Sequence, residues 1–109
     1  VTRLRATASG RRLEGLSAEA SALWLEITAG WELGPDGEAI LRQACEALDR
    51  LREAQRILRE EGLVVQSARG ALRAHPAVRI EVEARRALLA ALAQLRLEGA
   101  DEIRARFET

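Results

Sequence analysis

The stretch Glu61-Gly62-Leu63-Val64-Val65-Gln66, continued by Ser67-Ala68-Arg69-Gly70 and Ala71-Leu72-Arg73-Ala74-His75-Pro76-Ala77-Val78, decides the fold. Gly62 stands where a long helical pattern stops, and glycine takes the positive φ that ends a helix at little steric cost. Leu63 to Gln66 is rich in β-branched residues and the Ser67 to Gly70 cluster carries turn chemistry, so Ala71 to Ala74 can return beside it as a small hairpin. Pro76 then suits the first turn of a new helix, where a backbone N–H would have no partner in any case. His75, directly before it, is biased toward extended backbone and reads as a helix-start or packing residue. A two-stranded hairpin is marginal by itself, so this one should rest on the helices or on another subunit.

Upstream, Gly34-Pro35-Asp36-Gly37 reads as a turn and helix start with Asp36 as the cap. The pattern from about Asp36 to Glu61 amounts to ~37 Å of helix. Ile40, Ala44, Ala47, Leu48, Leu51, Ala54 and Leu58 form its apolar stripe, with Leu41 and Cys45 widening one shoulder. Before it, Ser17 is the expected N-cap of a first helix, with Leu16 placed for a hydrophobic staple. Ala20, Leu23, Trp24, Ile27 and Trp31 share one face of that helix, and packing within the domain is the expected role of both tryptophans.

Downstream, a helix is predicted from about Pro76 to Leu97 with two apolar stripes. Ile80, Ala84, Ala87, Leu88, Ala91 and Leu95 form the first; Val78, Val82, Leu89 and Ala93 form the second. One stripe closes an antiparallel hairpin with the preceding helix. The other needs a different neighbour, either the first helix or a second copy of the chain. Asp101 is then expected to cap a short terminal helix running through Phe107. The fold class expected is mainly α, a three-helix domain dominated by a long antiparallel helical hairpin, with a short β-hairpin-like excursion between the two long helices. Residues 1–15 read as a flexible Arg-rich arm, 16–98 as a helical core and oligomerisation domain, and 99–109 as a C-terminal tail or short helix.

Composition narrows the chemistry. The 109 residues suit one small domain, and a chain this short buries a limited core, so self-association can matter to its stability. All seventeen basic residues are Arg, balanced by seventeen acids, but the charge is unevenly spread. Residues 1–13 carry +4, residues 14–62 carry −6 and residues 63–109 carry +2. No stretch reaches the ~18 apolar residues of a membrane span. A single cysteine, Cys45, excludes an intrachain disulfide and reads as a small buried hydrophobe. His75 is the only histidine, so a zinc site or a His-based catalytic triad cannot be assembled within one chain. With no glycine-rich phosphate loop either, the expectation is a non-enzymatic protein with no catalytic residues, no metal and no cofactor. The unopposed arginines of the arm, Arg3, Arg5, Arg11 and Arg12, are candidate phosphate contacts, and Arg69 and Arg73 around the hairpin are a second, smaller set. Val78, Val82, Leu89 and Ala93 are the candidate oligomer interface.

From Leu16 to about Leu97 the chain resembles a phage terminase small subunit family. Leu16-Ser17-Ala18-Glu19-Ala20 with Trp24 is similar to the family's first helix, and Gly34-Pro35-Asp36 with Cys45-Glu46-Ala47-Leu48-Asp49-Arg50 to its long second one. Glu60-Glu61-Gly62-Leu63-Val64-Val65, then Gly70, then His75-Pro76-Ala77, is the most specific part. The resemblance implies a regulatory DNA-packaging factor in the cytoplasm of a bacterial host, a ring-shaped homo-oligomer that binds viral double-stranded DNA. It further implies a terminase large subunit as partner, carrying the ATPase and nuclease, and no membrane. The stretch Leu95 to Asp101 lacks the Leu-Gly-Leu-Thr-Pro type ending of such chains, as a decaying prophage copy would. The alternative is a helical protein-interaction module without nucleic-acid binding. A helix-turn-helix regulator ranks last, because it needs a short second helix after a tight turn.

Overall fold

A computed structural model describes residues 13–109. The element order is α1 (Ala18–Gly30), α2 (Pro35–Glu61), β1 (Val64–Gln66), β2 (Leu72–Ala74), α3 (Pro76–Leu95) and α4 (Asp101–Ala105). The architecture is mainly helical, with a two-stranded antiparallel hairpin between the long helices α2 and α3, which pack against each other. The mainly-α fold with its β excursion is therefore as the sequence reads.

Each boundary has a local cause. At the start of α1 the Ser17 hydroxyl accepts from the Ala20 N–H at 3.1 Å, the N-cap expected of it. α2 starts one residue earlier than read: Gly34 is the N-cap, Pro35 takes the first helical position, and Asp36 lies in the acidic first turn without a capping bond. Proline at that position needs no N–H partner, and its fixed φ opens the helix. Gly62 ends α2 with φ +83°. The β strands pair Val64 with Ala74, Val65 with Arg73 and Gln66 with Leu72. The Ser67 N–H donates to Ala71 O at 2.8 Å and Gly70 adopts φ +84°, closing the turn. At the foot of the hairpin the His75 N–H donates to Leu63 O at 2.7 Å. The His75 ring then caps α3, Nδ1 accepting from the Ala77 N–H at 3.0 Å while Nε2 lies 3.0 Å from Glu61 Oε1. α3 stops at Leu95, two residues short of the expected end, because Arg96 turns into the left-handed region at φ +50°.

The core is divided along the long axis. The main cluster joins Ala20, Leu23, Trp24 and Ile27 of α1, Leu41, Ala44, Cys45, Leu48 and Leu51 of α2, and Ala84, Leu88, Ala91 and Leu92 of α3. Ala100, Ile103 and Phe107 enter the same cluster from the C-terminal segment. Nearer the hairpin Ala54, Leu58 and Ala77 form a second, small cluster, with Ile57 and Val78 against it. The extents are 61 × 26 × 19 Å, and the radius of gyration of 16.7 Å exceeds the ~13 Å of a compact chain this size. Ile40 is half-buried, and Ile80 and Ala87, read as part of the first α3 stripe, are exposed. The reason is angular. The buried line of α3 runs through Ala77, Ala84, Leu88 and Leu92, and Ile80 and Ala87 lie on its flank.

Candidate assembly and nucleic-acid surfaces

Apart from Leu25 on α1, the exposed large apolar side chains of the described residues gather on the hairpin and on α3. Leu63 and Leu72 are 64% and 76% exposed, and Val64 is exposed as well. Strand pleating accounts for Val64 and Leu72: Val64, Gln66, Leu72 and Ala74 share one face, while Val65 and Arg73 share the other. Leu63, Val64, Leu72, Arg73, Ala74 and Val78 line one shallow groove, so the hairpin face runs directly into the first turn of α3. Beyond Val78, the second α3 stripe continues through Val82, which is 42% exposed, half-buried Leu89 and exposed Ala93. Leu89 touches the rim of the main core and Val78 the small distal cluster. α1 packs chiefly on α2 and leaves Val82 and Ala93 uncovered.

The basic groups fall into two sets. Arg69 and Arg73 are exposed on the hairpin, and no acidic residue occurs between Glu61 and Glu81. Arg3, Arg5, Arg11 and Arg12 lie outside the described residues. Several arginines elsewhere are drawn into pairs. Arg52 bonds Glu19 through Nε at 2.9 Å and through Nη2 at 3.0 Å, Arg106 bonds Glu26 at 2.9 Å, and Arg56 holds both Glu53 and Glu60. The Arg106 guanidinium holds the Glu26 carboxyl below its ordinary range, and Arg56 does the same for Glu53.

Groups that could do chemistry are occupied structurally. Cys45 is fully buried, its thiol donates to Ala20 O at 3.4 Å, and burial, aided by Asp49, pushes it up to about 12. A thiol so far from ionisation is a poor nucleophile at neutral pH. His75 is committed at both ring nitrogens to its helix cap and Glu61. Among the described residues no group of three His, Cys, Asp or Glu side chains could hold a metal ion, and no helix is long and apolar enough to cross a membrane.

Sequence reasoning missed the C-terminal clasp. The Trp31 indole N–H donates to Glu98 O at 2.8 Å, Arg85 Nε donates to Phe107 O at 3.1 Å, and the Arg52 guanidinium lies 5.9 Å from the Phe107 ring centre. With Arg106 on Glu26, these contacts tie residues 98–109 to α1, α2 and α3 together. Ala100, Ile103 and Phe107 follow three- and four-residue spacing, which was the available signal. Ala100, not Asp101, occupies the N-cap position of α4, with no side-chain bond.

Residues 20–109 match the family model described as phage terminase, small subunit. That range takes in both long helices, the hairpin and the C-terminal clasp, and leaves residues 1–19 outside it. No curated protein and no solved structure matches the chain.

Proposed function

The chain belongs to the phage terminase small subunit family, and on that premise we propose that it is a non-catalytic DNA-packaging adaptor. In this reading it binds viral double-stranded DNA as a ring-shaped homo-oligomer, in the cytoplasm of a bacterial host, and regulates a large subunit carrying the ATPase and nuclease. The observation that carries the reading is the family match across both long helices, the hairpin and the C-terminal segment. Two features of the chain support it. Val82 and Ala93, with Val78 and Leu89 beside them, leave an apolar line on α3 available to a second copy. Arginines without neighbouring acids suit phosphate contact, which binds by counterion release and needs no catalytic group.

The roles divide by location. Arg3, Arg5, Arg11 and Arg12 precede Leu13, which rests on the main core, whereas Arg69 and Arg73 lie on the hairpin at the far end of α2. Repetition around an oligomer multiplies both footprints.

DNA titration across a salt series tests the reading. Replacing Arg3, Arg5, Arg11 and Arg12 together by Ala should weaken binding and flatten the plot of log affinity against log salt, by about 0.9 for each phosphate no longer neutralised. Affinity unchanged at every salt concentration removes the arm from the mechanism. The exposed apolar face of the hairpin favours one other reading, a protein-interaction module without a nucleic-acid role. Lack of saturable DNA binding by the wild-type chain at moderate salt would select it.

A further inference from the structure

The two bonds of the His75 ring fix its tautomer. The Ala77 N–H can only donate, so Nδ1, 3.0 Å away, presents its lone pair and carries no proton. A neutral ring then holds its proton on Nε2, which donates to Glu61 Oε1 at 3.0 Å. The side chain is only 11% exposed, so water does not readily replace either bond. The backbone N–H of the same residue closes the foot of the hairpin on Leu63 O. The end of α2, the hairpin and the first turn of α3 therefore meet on a ring that bears no charge.

A second proton has only the Nδ1 lone pair to bind, and that lone pair is the cap of α3. The charged ring sets an N–H against the Ala77 N–H, two donors facing each other at the positive end of a helix. Among the described residues, the neighbouring charges do not reverse this. Arg73, two residues earlier and on the same face of the hairpin, adds positive charge. On α3, Arg79 is turned to Glu83 at 2.9 Å. On α2, Glu60 is held by Arg56 at 2.8 Å, and Arg59 lines a groove with Gln55, Leu58, Leu63 and Glu81 that His75 does not line. Glu61 attracts the cation, with the carbonyl end of α2 behind it. Its carboxylate is 58% exposed, so the attraction is screened, and the neutral ring already has that hydrogen bond. Protonation thus gains little at Nε2 and costs the whole cap at Nδ1, leaving the N–H of buried Ala77 without an acceptor.

We propose that His75 is a proton-operated latch: a proton bound at Nδ1 uncaps α3 and loosens the foot of the hairpin. This goes beyond the packaging reading and holds whatever the protein binds. The latch governs the hairpin surface, where exposed Leu63, Val64 and Leu72 lie with Arg69 and Arg73.

The experiment follows three full chains from pH 8 to pH 5: wild type, His75→Asn, which keeps a cap but cannot titrate, and Glu61→Gln, which removes the attracting charge. Nitrogen NMR of the ring reads the tautomer and the uptake of the proton. Amide protection factors, corrected for the intrinsic pH dependence of exchange, read the opening of residues 63–78. At neutral pH the ring should carry its proton on Nε2. As it becomes charged, wild-type protection over 63–78 should fall about fivefold, the equivalent of one lost cap. The fall should be larger in Glu61→Gln and absent in His75→Asn, with residues 41–51 unchanged in all three. A proton on Nδ1 at neutral pH overturns the latch. So does an equal fall in His75→Asn, or a fall that vanishes in Glu61→Gln and so belongs to the carboxylate. Wild-type protection that holds or rises as the ring becomes charged overturns it as well, because the attraction of Glu61 then outweighs the cap.

Discussion

Trp24 carries the largest side chain of the core and is fully buried, yet its indole N–H has no hydrogen-bond partner among the described residues. A buried donor left unpaired costs about 1–3 kcal/mol, so the ring stays for its volume. Trp24→Ala should lose about 3–5 kcal/mol in urea denaturation. Trp24→Phe should lose less than about 1.5 kcal/mol, because removing the orphaned N–H offsets part of the cavity. An equal loss in both variants would mean that the indole N–H is satisfied in solution. Cys45 behaves as another core residue. At pH 8 its thiol should resist alkylation in the native protein and react readily in denaturant; native labelling at the rate of a free thiol would contradict its burial. Both residues were legible as apolar members of a helical stripe. The missing partner of Trp24 was not, because it depends on which carbonyls α2 and α3 bring near the ring.

Among the elements, the hairpin and the C-terminal clasp depend most on single contacts. His75 links three of them: its backbone closes the hairpin, Nδ1 caps α3, and Nε2 meets Glu61 at the end of α2. His75→Ala should cost about 1 kcal/mol and speed hydrogen exchange over residues 63–78, and His75→Asn, another good cap, should restore most of it. Equal exchange in all three proteins would show that the hairpin does not rely on the cap. At the other end, Phe107→Ala should free α4 from the core at a cost on the order of 3 kcal/mol, seen first as faster exchange in the last ten residues. The Arg106–Glu26 pair adds a smaller, pH-dependent part, worth about 0.5 kcal/mol because both side chains are largely exposed. Pairing lowers the Glu26 pKa in the folded state, so its contribution is complete above the ordinary carboxylate range and disappears as the pH falls through the lowered value. Stability measured from pH 7 to 3 should therefore fall slightly less for Arg106→Ala than for the wild type. Capping chemistry at Ser17, Gly62 and Pro76 was readable because it is local. The clasp was not, since Trp31 and Glu98 are 67 residues apart in the chain.

For the molecule as a whole, the uneven core sets the dynamics. One end unites three helices and the C-terminal segment, whereas among the described residues the hairpin end holds only Ala54, Leu58 and Ala77 with two half-buried neighbours. Local opening is easiest where buried apolar contacts are few. Under conditions that favour monomer, amides of residues 58–80 should exchange faster than those of 41–51, and assembly should slow the first set most. Protection that does not change with protein concentration would place the hairpin outside any contact between copies.

The sequence by itself determined the element order, most of the boundaries and the buried stripes of α1 and α2, because caps, turns and helical periodicity act over a few residues. It also settled the family likeness, through the order of motifs from Leu16 to Pro76. Only the tertiary structure decided which flank of α3 is covered. Periodicity names the apolar positions of a helix, but the angle at which a neighbour approaches selects among them. That angle turned Ala77 and Leu92 inward, left Ile80 and Val82 in water on opposite sides, and brought Phe107 onto a core it could not be assigned to from the chain alone.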